Sequence, residues 1–313
     1  MKKVSLRISL ITVMIFTCGS VSSQIGENDW VKDNLRGKVK TYIEISYIAE
    51  ERNGKIEKGK RERLSDLNDI QSKYDEKGNK SEQNQYNSDG NLKSKLTAKY
   101  DKKANLSELI FYNYDDSLES KFTYKYDDKG NKIEENIYAS DGSLEGRNVY
   151  KYDEKGNNIE GNRYNSDGSL DVKWIYKYDE KGNRIEENWH KSDGSLSDKL
   201  TYKYDDKGNR IEENWHESDG SLLDKWTYKY DDKGNKIEEN IYEFDGSLKN
   251  KFTAKYDENG NAIEENVYES DGSLFGKYIY KYEFDKEMNW IKRVDFQNGM
   301  PIYIYEREYE YYK

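Results

Sequence analysis

The apolar residues of this chain alternate with polar ones. Over residues 222–230 the order Leu-Leu-Asp-Lys-Trp-Thr-Tyr-Lys-Tyr puts Leu222, Trp226, Tyr228 and Tyr230, with Asp224, on one side of an extended strand. Leu223, Lys225, Thr227 and Lys229 fall on the other. A period of two predicts a half-buried β-strand. Residues 209–216 alternate likewise, with Ile211, Glu213 and Trp215 on one side and Arg210, Glu212, Asn214 and His216 on the other. Asp219-Gly220 and the Asp-Lys-Gly-Asn of residues 206–209 supply turns between such runs.

The pattern returns every 26 residues. Residues 202–227 read YKYDDKGNRIEENWHESDGSLLDKWT, and residues 176–201 differ from them at only four positions. Eight frames, beginning at 72, 98, 124, 150, 176, 202, 228 and 254, fill residues 72–279. Repetition this strict predicts an array in which each unit packs mainly on its neighbours. The second frame departs furthest, with Ala104 in the place of a turn glycine.

The flanks read as caps. Residues 24–71 form an N-terminal β cap that would cover an edge otherwise open to aggregation. In it Val39, Thr41, Ile43, Ile45 and Tyr47 would share one strand face, Asn53-Gly54 signals a hairpin, and residues 58–64 would return. Residues 280–313 hold a partial ninth frame and a C-terminal cap that turns at Asn298-Gly299.

Parity decides how the strand faces combine. Even loops set Tyr204 with Ile211 on one face and Lys203 with Glu212 on the other, whereas odd loops would scatter the apolar residues. Asp219-Gly220 predicts a two-residue turn with positive φ at both positions. The expected fold is all-β: an antiparallel hairpin array forming one sheet with an aromatic and a charged face. No amphipathic helix is available to cover the aromatic face, so the sheet is expected to curl or spiral around it.

Composition sharpens this picture. With 36% charged residues and a mean hydropathy of −1.22 the chain approaches disordered composition. A single proline, 14% aromatic residues and the fixed apolar positions instead indicate a folded repeat with a thin aromatic core. Residues 1–23 read as a signal peptide: Lys2, Lys3 and Arg7 precede an apolar run over 8–16, and Val21-Ser22-Ser23 precede the cleavage point. Losing those three cations and no acid moves the net charge from −10 to −13. An acidic exported chain is poorly suited to nucleic acid or anionic lipid. The apolar run is short for a membrane span and no second one follows, so no transmembrane span is expected in the mature chain. The expected location is the periplasm, the outer surface or outside the cell. Cys18, the only cysteine, lies within the leader, leaving the mature chain without thiol chemistry. Lipid anchoring at Cys18 is the alternative, against which Thr17 is a poor preceding residue.

Tyr-Lys-Tyr-Asp-x-Lys-Gly-Asn, as at residues 202–209, resembles the YD repeat of rearrangement-hotspot and teneurin-type proteins. The likeness extends over about two thirds of the chain and returns in almost every frame. It implies a spiralled antiparallel sheet, which in the large members forms a hollow shell. In a chain this short no C-terminal toxin-like domain is expected. The chain resembles small exported bacterial proteins built only of such repeats.

Four groups of residues could carry chemistry. The Asp-rich turns, such as residues 204–209 and 218–221, look faintly like calcium loops, but they lack the 12-residue ligand spacing, and Asp, Asn and Gly are what tight turns require. Trp174, Trp189, Trp215 and Trp226 cluster in the middle frames and could form an aromatic ladder for sugar rings, or fill the inner face as Ile137, Ile241 and Val267 do in sibling frames. His190 and His216 hold equivalent positions two strands apart, too far for a shared zinc. Glu135, Glu187, Glu213, Glu239 and Glu265 fall on the aromatic face, where they would bond tyrosine hydroxyls or meet water. A row of identical environments is a poor route to an acid and base pair. No catalytic residue, cofactor or metal site is expected. The function expected is an exported, non-enzymatic scaffold that binds a protein or glycan partner at the cell envelope, with carbohydrate binding by the tryptophan ladder as the alternative.

Overall fold

A computed structural model describes residues 28–61 and 69–313. The expected leader, with Cys18, lies outside the described residues, as do residues 62–64 of the expected return strand. A four-residue helix α1 (Asp29–Lys32) precedes 21 strands. These begin with β1 (Val39–Arg52), β2 (Lys55–Lys58), β3 (Asp69–Tyr74), β4 (Lys80–Tyr86), β5 (Leu92–Tyr100), β6 (Leu106–Asn113) and β7 (Leu118–Tyr126). There follow β8 (Lys132–Tyr138), β9 (Leu144–Tyr152), β10 (Asn158–Asn165), β11 (Leu170–Tyr178), β12 (Arg184–Lys191), β13 (Leu196–Tyr204) and β14 (Arg210–Glu217). The last are β15 (Leu222–Tyr230), β16 (Lys236–Glu243), β17 (Leu248–Tyr256), β18 (Ala262–Tyr268), β19 (Leu274–Phe284), β20 (Trp290–Gln297) and β21 (Met300–Tyr311).

The hairpin array closes. From β3 to β21 each strand pairs with the next, antiparallel, and β1 pairs with both β21 and β3. The expected curled or spiralled sheet is a closed barrel of 20 strands, with β2 a short flap on the projecting end of β1. The segments expected to act as caps supply the closing strands instead, so the barrel itself has no free edge. Twenty strands about 4.8 Å apart and tilted by about 40° give a ring roughly 40 Å across. Strands of eight or nine residues make it only about 20 Å tall.

The expected face parity holds in the strand bodies, but by a different route. Tyr202 faces Glu213 and Lys203 faces Glu212, as even loops require; Tyr204, however, faces Arg210. The loops of the repeat are odd: Asp205 N–H donates to Asn209 O (2.9 Å) and Gly208 N–H to Asp205 O (3.1 Å), closing a three-residue loop with Gly208 at φ +87°. A β-bulge at Arg210-Ile211 adds one residue and restores the parity. The Asp219-Gly220 turn is also a three-residue loop, with positive φ at Gly220 alone. The bulge turns the Arg210 side chain onto the aromatic face, contrary to its expected place beside Glu212, and leaves Ile211 36% exposed.

The N-terminal segment shows which face is concave. Asn28 donates to Lys77 O in the β3–β4 turn. Arg36 bonds Asn289 in the β19–β20 turn and Asn259 in the β17–β18 turn. Six strands separate the outermost of these turns, an arc of roughly 40 Å along the wall. Eight residues, half of them helical, cannot follow that arc and cross only on the inside. Beneath the segment lies the hydrophobic cluster of Leu35, Val39, Tyr42 and Tyr74, flanked by Trp30, Ile70, Tyr309 and Tyr311. The aromatic face thus lines the lumen. On β1 the expected shared face is broken by a bulge at Lys40. Val39 turns inward and is fully buried, while Ile43 lies on the outer face, 37% exposed.

Candidate functional site

The carboxylates of the outer wall are neutralised by a regular lattice. Glu212 takes Lys203 at 2.8 Å and Lys225 at 3.0 Å, one from each neighbouring strand, and accepts from Asn214. Burial alone would raise the Glu212 carboxyl, but these three donors outweigh it and hold it at about 2. Glu160, Glu186, Glu238 and Glu264 repeat the arrangement and are held equally low. His190 and His216 lie opposite Lys173 and Lys199 on this outer face, as expected.

The lumen wall carries a second, mixed lattice that alternation alone does not show. The bulge after each Asp-x-x-Gly/Ala-Asn loop exposes a backbone carbonyl, and the last tyrosine of the next strand donates to it: Tyr204 to Arg184 O (2.8 Å), Tyr230 to Arg210 O (2.9 Å) and likewise from Tyr126 to Tyr282. The bulge also brings a cation inward. The Arg184 guanidinium lies between Tyr176 (5.2 Å) and Tyr202 (5.5 Å), and that of Arg210 between Tyr202 (5.3 Å) and Tyr228 (5.7 Å). Such stacks combine cation–π attraction with burial of the stem.

The glutamate row completes this wall. Tyr150, Tyr202, Tyr228 and Tyr280 donate to Glu135, Glu187, Glu213 and Glu265 at 2.7–3.4 Å, as expected. Arg184 and Arg210 also reach Glu187 (3.2 Å) and Glu213 (3.0 Å) across one bulge. In place of a tyrosine, Ala254 stands 15 residues beyond Glu239, which pairs with Lys236 at 2.5 Å. The carboxylates are thus tied down in equivalent ways.

All four middle-frame tryptophans point into the lumen. Trp174 faces Trp189 directly across β11 and β12, with ring centroids 6.1 Å apart and planes at 90°. Trp189 is 39% exposed, so its ring looks into open space; its Nε1 donates to Glu187 (2.6 Å). Trp215 Nε1 donates to Asp198 (3.0 Å), and Trp226 stands opposite Ile241. The structure therefore joins Trp174 and Trp189 and sets Trp215 and Trp226 apart from them as a diagonal pair on adjacent strands.

The turn aspartates are occupied within their own loops. Asp205 Oδ1 accepts from the N–H groups of Lys207 and Asn209, and Oδ2 from the Asn209 side chain. No group of three metal-ligating side chains forms among the described residues.

The site missed by sequence reading is the closure seam. Arg307 on β21 bonds Glu44 on β1 at 2.7 Å and lies 3.7 Å from the Trp290 ring centroid and 4.8 Å from that of Tyr42. Beside it Arg293 and Asp295 form a buried bidentate pair at 2.8 and 3.0 Å. Burial pushes the Asp295 carboxyl up to about 6 against the pull of Arg293. These residues lie outside the repeat, and Arg307 reaches Glu44 only when the chain ends meet.

Neither face carries an uninterrupted apolar band, and among the described residues no helix is long and apolar enough to cross a membrane.

No protein-family model and no curated protein matches the chain. Among solved structures it is similar to the TcdB2-TccC3 assembly with Cdc42, at 12% identity and a TM-score of 0.33. That match covers 87% of this chain and 17% of that one, so this chain spans about a sixth of the relative's length. A porin-like protein from Bacteroides uniformis matches at 13% identity and a TM-score of 0.33, covering 87% of this chain and 96% of that one. Its counterpart from Bacteroides vulgatus matches at 13% and 0.31, covering 87% and 98%. At these scores the likenesses bear on no functional question.

Proposed function

We propose that this chain is an exported, non-enzymatic repeat scaffold of the YD-repeat kind, whose lumen face binds another macromolecule at the cell envelope or outside the cell. The observation that carries this reading is the contrast between the two walls. The outer charges are paired two lysines to a glutamate, whereas the lumen presents aromatic surface that stays open at Trp189. The repeated binding of the lumen carboxylates by tyrosine hydroxyls and by arginine or lysine favours a recognition surface over an acid and base pair. Pull-down from envelope fractions tests the reading: a partner retained at moderate salt supports it, and no retained partner under varied salt counts against it.

A second reading is carbohydrate binding. Exposed indole faces take up sugar rings by stacking, and the Trp174–Trp189 pair is the most open aromatic surface of the middle frames. Binding on a glycan array, compared between the wild type and Trp189→Ala, tests it.

A further inference from the structure

One lumen position breaks the repeat. Where four sibling frames place Glu135, Glu187, Glu213 and Glu265 to receive a tyrosine hydroxyl, the frame starting at 150 has Gly161. Gly161 faces Trp174 across β10 and β11, and a Cβ built there would lie 2.9 Å from the indole. The missing side chain is what lets Trp174 lie close against the wall. Trp189, perpendicular to it, then stands out into the lumen.

The same omission frees polar groups. Tyr176 is the tyrosine that would donate to a glutamate at position 161. Among the described residues its hydroxyl has no hydrogen-bond partner, and neither has Nε1 of Trp174. The indoles of Trp189 and Trp215, by contrast, are both paired with carboxylates. Two orthogonal aromatic planes, one exposed, thus share a corner with two unpaired donors. The carboxylate of the sibling frames is absent from the floor, and the charges at its edge, Arg184 against the Tyr176 ring and Glu187 opposite Tyr176, are paired with each other at 3.2 Å. A neutral pyranose fits this chemistry: its C–H face stacks on one indole, its edge meets the other, and its hydroxyls accept from Tyr176 and Trp174.

We infer that the corner formed by Gly161, Trp174, Tyr176 and Trp189 is a subsite for one hexopyranose unit of a neutral glycan. This rests on the reading of the lumen face as a binding surface. The test titrates the full chain with neutral hexasaccharides of glucose and of N-acetylglucosamine, followed by tryptophan fluorescence and calorimetry. Three variants accompany the wild type: Trp189→Ala, Gly161→Glu, which restores the sibling residue, and Trp215→Ala as a control outside the corner. Circular dichroism checks that each is folded. The expected result is saccharide binding that weakens at least tenfold in Trp189→Ala and Gly161→Glu and stays within twofold in Trp215→Ala. Equal binding by folded Gly161→Glu and wild type overturns the subsite. If the wild type retains an envelope partner but takes up no hexasaccharide, the subsite falls and the wider reading stands; if it takes up neither, both fall.

Discussion

The Tyr204 hydroxyl donates to the backbone carbonyl of Arg184 at 2.8 Å. That one bond explains why the tyrosine that ends the strand is coupled to a β-bulge on the preceding strand. The bulge removes a carbonyl from the ladder, and the phenol supplies the missing donor. Replacing Tyr204 with Phe is expected to cost about 1 kcal/mol, the typical net worth of such a bond. Because the equivalent bonds lie in different frames, Tyr152→Phe and Tyr204→Phe are expected to add. Urea denaturation of the two single variants and the double variant measures both quantities; strong non-additivity would show that the phenols act through the wall as a unit.

Three of the three-residue loops hold a non-glycine residue in the left-handed position that glycine takes in their siblings. Ala104, Asp116 and Met288 have φ of +65°, +61° and +64°. An alanine there carries a steric cost of about 1–2 kcal/mol, partly offset by the greater chain entropy that glycine loses on folding. Ala104→Gly is expected to stabilise the barrel by about 0.5–1 kcal/mol, and Gly208→Ala to destabilise it by about 1–2 kcal/mol. The shift of the denaturation midpoint at constant slope is the readout.

The outer lattice sets the acid limit. Glu160, Glu186, Glu212, Glu238 and Glu264 are held at about 2 in the fold, below the ordinary glutamate value. A depressed folded value stabilises above the unfolded one, and that contribution is lost as pH falls from about 4.5 towards 2. Thermal midpoints should therefore drop steeply across that window, and Glu212→Gln should make the drop shallower. A midpoint unchanged between pH 5 and pH 2.5 would contradict the pairing.

Asp295 acts in the opposite sense. Its carboxyl is raised to about 6, so the protonated form favours the fold, and that contribution is lost as pH rises from about 4 through 6. Asp295→Asn should flatten the stability profile over that range. An unchanged profile would mean that Arg293 keeps the carboxylate ionised throughout.

The seam depends on a buried pair. Arg307→Ala strands Glu44 opposite the Trp290 and Tyr42 rings, and is expected to cost about 3–5 kcal/mol. Hydrogen exchange should show the loss first at β1 and β21. A uniform rise in exchange around the barrel would indicate that the seam is no weaker than the other ladders.

The division between sequence and tertiary structure is physical. Alternation and the 26-residue period determined the strands, the turn positions and the sorting of Lys203 and Glu212 from Tyr202, Glu213 and Trp215, because a period of two is local. The turn type escaped it. Odd loops with compensating bulges give the same parity as even loops, and only backbone geometry separates them, which is why Arg210 changed faces. Closure was decided by the tertiary structure alone. It depends on the summed curvature of 20 strands and on Val39, Glu44 and Arg307 meeting from opposite ends of the chain, at separations no local pattern encodes. The same holds for the corner at Gly161: the sequence names a missing glutamate, but only the barrel shows that its absence lays one tryptophan against the wall and leaves another facing the lumen.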